Sequence, residues 1–247
     1  MAQPYLSIII PAYNEAERIP STLLDIDKRL ENAPYSYEIV VCNDGSTDNT
    51  PEVVRNMMKM VRNLKLIDLK DNQGKGGTVR QGMLLSSGQI RIFTDADNST
   101  SIDQFDAMMP FFKQGYDVVI GSRAMKGAKL DPPEPIYKQI PGKLGNLFIQ
   151  ALVLPGLWDT QCGFKAFTAE SAEKIFKISR ITGWGFDVEI LSLAKKMGYR
   201  TKEIPVHWAN DLRSHVNFMA YLKVLWETVT IRWWLWRGVY DTPQSAA

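Results

Sequence analysis

Residues 6–121 predict an α/β fold, a mostly parallel, doubly wound sheet flanked by helices. Three observations carry that prediction. Apolar runs of strand length alternate without a break with segments of helical character. The first of these runs is apolar at nearly every position, as in a strand covered on both faces. Polar or glycine-rich clusters gather where the runs end, and in an open parallel sheet ligands bind beyond the carboxyl ends of the strands.

The first run is Leu6-Ser7-Ile8-Ile9-Ile10, ended by Pro11. Asn14 reads as an N-cap, with Glu15 and Glu17 in the first turn of a helix to about residue 30. A second strand, from Tyr37 to Asn43, stops at Asp44-Gly45-Ser46-Thr47-Asp48, a turn that leads into a helix through Val53, Val54 and Met57. Residues 64–69 form a third strand. Asn72-Gln73-Gly74-Lys75-Gly76-Gly77 reads as a glycine-rich loop, with a helix over 78–85. Ile90 to Thr94 is the fourth strand, closed by Asp95-Ala96-Asp97, and a helix is expected to start near Ser101. Residues 117–121 make the fifth, followed by Ser122-Arg123.

Between 126 and 155 the alternation stops. Asp131-Pro132-Pro133-Glu134-Pro135 reads as a loop. A stretch carrying Lys138, Lys143 and Asn146 among Ile140, Leu144, Leu147 and Phe148 suits either a membrane surface or the edge of the sheet. Residues 159–167 enter a short strand, with a helix over 169–177. A second helix after Gly183-Trp184-Gly185 carries Asp187 and Glu189 in its first turn, where acids favour the helix dipole. Residues 201–206 are one more strand. From 218 to 240, Trp226, Trp233, Trp234 and Trp236 interleave with Lys223, Arg232 and Arg237, which suits an interfacial helix. Packing of that helix on the domain or on a partner subunit is the alternative. The expected organisation is a domain over 1–216 and an amphipathic, tryptophan-rich helix and tail over 217–247.

Net charge is +2, which argues against a nucleic-acid binder. Its distribution is uneven: residues 1–121 hold 12 Lys/Arg against 16 Asp/Glu, and residues 122–247 hold 17 against 11. The basic half suits an anionic lipid or acceptor. Cys42 and Cys162 make no disulfide framework and fit a reducing compartment. Neither a signal peptide nor an 18-residue apolar span is recognisable. The expectation is a cytoplasmic protein, peripheral at the cytoplasmic face of a membrane.

Asp95 and Asp97, one residue apart at a strand end, repel each other unless a cation lies beside them. A divalent ion with oxygen ligands, holding a diphosphate, is one solution, and helix capping is the other. The dinucleotide fingerprint is absent after the first strand, and no G-x-x-x-x-G-K-[ST] loop is present. This disfavours a dehydrogenase and a P-loop NTPase. A nucleotide diphosphate remains, with Asp44 placed for base or ribose contacts.

Residues 6–15, 43–48, the Asp95/Asp97 pair and Gly121-Ser122-Arg123 resemble inverting glycosyltransferase family 2, with its GT-A fold. Asp159-Thr160-Gln161-Cys162-Gly163-Phe164-Lys165 and Trp184-Gly185-Phe186-Asp187-Val188-Glu189 are similar to the dolichyl- and polyprenyl-phosphate glucosyltransferases. The dolichyl-phosphate mannose synthases share most of the earlier motifs. The resemblance implies that Pro11, Tyr13, Glu15, Asp44, Lys75, Asp95 and Ala96 meet the nucleotide. Asp95 and Asp97 would bind Mg²⁺ or Mn²⁺, and Arg123 would lie near the acceptor phosphate. Lys138, Lys143 and Arg213 are further docking cations. Arg213-Ser214-His215 stands where the family has Gly-Ser-Lys, and a histidine is cationic only part of the time near neutral pH.

The expected reaction moves a hexose from a nucleotide-diphosphate sugar to a polyprenyl or dolichyl phosphate with inversion. UDP-glucose is the expected donor and GDP-mannose the alternative. A phosphate acceptor is already anionic, so Asp187 is expected to organise the acceptor side, and a general-base role is the weaker option. Asp95, Asp97, Asp187 and Arg123 form the expected catalytic set. A hydroxyl acceptor, a nucleotidyltransferase and a non-catalytic sugar-nucleotide-binding protein are the rivals. A homo-oligomer or a membrane-protein partner stays open.

Overall fold

A computed structural model describes residues 3–133, 136–209 and 218–241. One sheet organises them. Strands β1 (Leu6–Ala12), β2 (Tyr37–Asp44), β3 (Leu64–Leu69), β4 (Ile90–Thr94), β5 (Val118–Ser122), β7 (Phe164–Thr168) and β8 (Thr201–Pro205) lie in the order β3-β2-β1-β4-β7-β5-β8. β1 pairs in parallel with both β2 and β4, so the strand order reverses between β1 and β4. β7 is antiparallel to both β4 and β5 and is wedged between them. A short parallel pair, β6 (Lys129–Asp131) with β9 (His207–Ala209), stands beside the main sheet.

Alternate side chains of β1 serve two cores. Leu6, Ile8 and Ile10 join Ile39 and Val41 against helices α1 (Ile19–Arg29) and α2 (Thr50–Met57). Ile9 joins Val40, Cys42 and Phe93 on the other face. That face is covered by α3 (Gly74–Leu85), α5 (Ile136–Leu152), α6 (Ala169–Ile178), α7 (Phe186–Lys196) and α8 (Phe218–Trp236). A period of two on a strand buried on both sides gives this division.

Several expected boundaries shift for physical reasons. The first helix begins at Ile19, and Asn14 takes a left-handed conformation (φ 55°) instead of capping it. Its Oδ1 accepts bonds from the amides of Thr47 (2.9 Å) and Asp48 (3.3 Å), which ties the end of β1 to the turn after β2. Asparagine suits both roles, because its short amide can satisfy local backbone groups in either geometry. The expected glycine-rich loop is instead the first turn of α3. A Cβ on Gly74 would lie 2.5 Å from the carbonyl oxygen of Thr182, and one on Gly76 2.6 Å from that of Ile181. Close backbone approach demands Gly76, and at Gly74 it adds to a left-handed backbone (φ 78°) that already favours glycine. The segment after Ser101 opens as a 3-10 turn (Ile102–Ala107) before the short helix α4 (Met109–Lys113).

Candidate active site

The ends of β2 and β4 and the starts of α3 and α7 converge at the carboxyl edge of the sheet. At the end of β2, Asp44 is buried and its Oδ1 accepts from the amide of Gln73 at 2.7 Å, just before α3. Lys75, in the first turn of α3, reaches across to Asp95, with Nζ 2.6 Å from Oδ1. Burial works to lower the Lys75 pKa, but the fields of Asp95, Asp187 and Asp97 outweigh it and raise it. The ammonium also lies 5.0 Å from the ring centre of Trp184.

The turn after β4 is pinned on several sides. Thr22 Oγ1 donates to the carbonyl of Ala96 at 2.6 Å, and the Ser99 amide donates to Asp97 Oδ1 at 2.9 Å. Asn98 has φ 56° and donates to Asp25 at 2.9 Å. Asp95 has no room to retreat, since a Cβ on Gly163 would come 2.0 Å from its Oδ2. Burial, and next the charge of Asp95, push the Asp97 carboxyl above its ordinary range. Two confined carboxylates with one lysine between them leave negative charge uncompensated.

Asp187, in the first turn of α7, is buried against Lys165 of β7 at 2.5 Å. Lys165 is 0% exposed, also donates to the carbonyl of Cys162 at 2.5 Å, and sits 5.4 Å from the ring of Phe93, its partner across β4 and β7. Burial raises the Asp187 pKa against the pull of Lys165 and Lys75. Of the other expected residues, Pro11 is next to last in β1, in register with Cys42, Tyr13 is exposed just beyond the strand, and Glu15 is tied to Arg18 at 2.6 Å.

The structure thus brings Asp44, Lys75, Asp95, Asp97 and Asp187 together. Arg123 stands apart, beyond β5, two strands from β4. Its Nε and Nη2 donate to the two oxygens of Asp159 at 2.8 and 2.9 Å, its amide adds a third bond, and its guanidinium stacks 4.9 Å from the ring centre of Trp208. Burial of Asp159 works to raise its pKa, and Arg123 brings it below the ordinary carboxylate range. Lys143 is exposed on α5. The backbone of Lys138 lies in the same helix, and its side chain is outside the described residues, as are Arg213, Ser214 and His215. Lys165, Asp159 and Gly163 stand inside a family-like motif in which the sequence singles out none of them. The signal was their pattern, a glycine flanked by an acid and a lysine, but each finds its partner on another strand or helix.

The oxygens at Asp95 and Asp97 fit a hard divalent cation. Among the described residues no cluster of three or more metal-ligating side chains forms. Two carboxylates with the remaining positions open suit an ion that shares its shell with substrate phosphates.

A mostly parallel sheet with an acidic site at its switch point is the arrangement of a ligand-binding, doubly wound α/β fold, and the comparisons define the family. The sequence model of Glycosyl transferase family 2 matches residues 7–176, and the chain belongs to that family. It is 36% identical over 249 residues to a dolichyl-phosphate beta-glucosyltransferase of Dictyostelium discoideum, covering 96% of this chain and 76% of that protein. The human protein of the same name is 29% identical over 255 residues, covering 97% and 78%. Among solved structures, mannosyl-3-phosphoglycerate synthase from Rubrobacter xylanophilus superposes with a TM-score of 0.71 at 18% identity, covering 99% of this chain and 77% of that one. Glucosyl-3-phosphoglycerate synthase from Mycobacterium tuberculosis, in complex with Mn²⁺, UDP and glucosyl-3-phosphoglycerate, does so at 0.66 and 17%, covering 93% and 80%. These two confirm the GT-A-type fold expected from the sequence.

Proposed function

We propose that the protein transfers glucose from UDP-glucose to dolichyl or polyprenyl phosphate, with inversion at the anomeric carbon. The observation that carries this reading is the uncompensated Asp95/Asp97 pair at the carboxyl end of β4, in a chain similar over nearly its whole length to dolichyl-phosphate beta-glucosyltransferases. Asp95 and Asp97 would hold Mg²⁺ or Mn²⁺, which would supply positive charge against the departing diphosphate. An acceptor phosphate oxygen attacks the anomeric carbon as the bond to the diphosphate oxygen breaks on the opposite face. Because that oxygen is already anionic, no proton has to be removed. Asp187, locked to Lys165, shapes the site. Asp44 faces the nucleoside, and Tyr13 lies beside it.

The acceptor meets the basic half. Arg123, and Lys143 exposed on α5, are the described cations proposed to meet it. No described helix is long and apolar enough to cross a membrane. α8 nevertheless shows an outward stripe of Met219, Leu222, Trp226, Val229, Trp233 and Trp236, with Trp226 72% and Trp236 74% exposed. α5, packed against α8, exposes Ile140, Leu144 and Leu147. Tryptophans with Arg232 and Arg237 alongside suit an anionic lipid surface, which is where the acceptor resides. Location at the cytoplasmic face of a membrane follows from the same reading.

The test is direct. Purified protein incubated with radiolabelled UDP-glucose, a polyprenyl phosphate and Mg²⁺ or Mn²⁺ is expected to yield lipid-extractable glucose, with GDP-mannose in a parallel tube giving little. Transfer of mannose alone, or no lipid product from a protein that binds UDP, overturns the reading.

A further inference from the structure

We infer that Glu227, on the inward face of α8, is a positioning residue for the donor site. The inference rests on the donor reading above and goes beyond it, because Glu227 lies outside the converging strand ends. Glu227 is 9% exposed, and its Oε2 accepts from the amide of Gly185 at 2.7 Å. A Cβ on Gly183 would lie 2.6 Å from Glu227 Oε1, and one on Gly185 2.5 Å from Oε2. The carboxylate is therefore wedged against both glycines that flank Trp184. Neither glycine has a positive φ, so it is this approach that requires them.

The loop held in this way leads straight to the donor residues. Trp184 faces Lys75, whose ammonium bonds Asp95. Two residues earlier, the carbonyl of Thr182 accepts from the amide of Gly76 in the first turn of α3 at 2.8 Å. The start of the loop is fixed in a parallel manner. Glu189 of α7 accepts from the amides of Arg180 (2.8 Å) and Ile181 (2.9 Å) and from the hydroxyl of Tyr240 (2.8 Å). Residues 180–185 thus lie between two buried carboxylates and press on the helix turn that carries Lys75. Glu227 sits on a helix whose other face is the exposed tryptophan stripe, so the element proposed to meet lipid also fixes the grip on the donor. Burial raises the Glu227 pKa, partly offset by the Gly185 amide and by Lys223, which comes to 4.0 Å.

The experiment measures Mn²⁺–UDP affinity by calorimetry, with no acceptor or vesicles, together with the KM and kcat for UDP-glucose. Glu227→Ala is expected to weaken UDP binding and raise KM about tenfold, the scale of lost outer-shell support, with a smaller change in kcat. Glu227→Gln keeps an acceptor oxygen at the Gly185 amide and is expected to stay close to the parent. Gly185→Ala, which drives a Cβ into the intact carboxylate, is expected to reproduce the donor defect, and the double variant to be less impaired than the sum of the two. Amide exchange gives a readout independent of nucleotide: Glu227→Ala should speed exchange at Gly185 and also at Gly76. If the parent binds no UDP, the donor reading fails, while exchange at Gly76 still decides the positioning role. Unchanged UDP affinity in a folded Glu227→Ala protein, or faster exchange at Gly185 without any at Gly76, overturns the inference.

Discussion

The two ends of one sheet treat buried carboxylates in opposite ways. At the amino end, Glu38 opens β2 beside Ser7 of β1. Its oxygens accept from the Ser7 hydroxyl (2.5 Å), the Ser87 amide (2.8 Å) and hydroxyl (3.1 Å), and Lys65 (2.7 Å). Burial works to raise its pKa, yet Lys65, Ser7 and Ser87 outweigh burial and hold it below the ordinary range. At the carboxyl end, Asp97 is half-buried, Ser99 supplies its amide and its hydroxyl, and burial together with the charge of Asp95 still takes its pKa up. A carboxylate that the chain fully satisfies is structural. One that the chain confines and leaves short of positive charge awaits a ligand that brings it.

This contrast is broken most sharply at the carboxyl end. Asp95→Asn and Asp97→Asn are each expected to lower glucosyl transfer by about 10²–10³-fold, the range for removal of a preorganised electrostatic group. The thermal midpoint of Asp97→Asn should hold or rise, because the substitution removes a charge that Asp95 opposes. Transfer assays paired with thermal melts check both halves. Full activity would sink the role of the pair, and a loss of fold would make it structural like Glu38.

At the amino end the signs reverse. Glu38→Ala removes the acceptor of the buried Ser7 hydroxyl and of the Ser87 amide, while the exposed Lys65 turns to water, and is expected to cost about 1–3 kcal/mol of stability. Urea denaturation reads that figure, while UDP affinity of the folded fraction should not change. A donor defect without loss of stability would show that the two ends are coupled and that the contrast is drawn in the wrong place.

How much of this was legible in the sequence follows the range of the interactions. The apolar runs at 6–10 and 90–94 become buried strands because local composition states their burial directly, whereas 64–69, with Lys65 and Asp68 in its pattern, becomes the partly exposed edge strand β3. The spacing of Asp95 and Asp97 likewise announces a charged strand end. The direction of β7 was not legible, since an antiparallel insertion between β4 and β5 is a matter of distant pairing. The short β6–β9 pair joins residues nearly eighty positions apart and leaves no local periodic trace. Gly74 and Gly76 misled for a related reason. Glycine in sequence suggests a loop, whereas here it admits the backbone of 181–182. Lys165 and Glu227 find Asp187 and Gly185 at separations of 22 and 42 residues, so their roles emerge only from packing. The expectation that Arg123 meets the acceptor phosphate rests on the resemblance of Gly121-Ser122-Arg123 to the family, and its bonds to Asp159 show how that side chain is oriented.

The smallest effect expected is in the acid range, and it isolates Glu38 from the rest. Its folded-state pKa is depressed, so the stability it contributes is fully present above its unfolded pKa of roughly 4.3. That contribution is lost as pH falls through the lower, folded value. Glu38→Gln removes the titrating group while keeping an acceptor oxygen for Ser7 and Ser87. The variant should therefore be less stable than the parent at pH 6, and the gap should narrow as both are carried from pH 5 toward pH 3. Urea midpoints across that series measure it. A gap that stays constant with pH would mean that Lys65 and the hydroxyls do not favour the ionised form, and the satisfied end of the sheet would lose its distinction from the other.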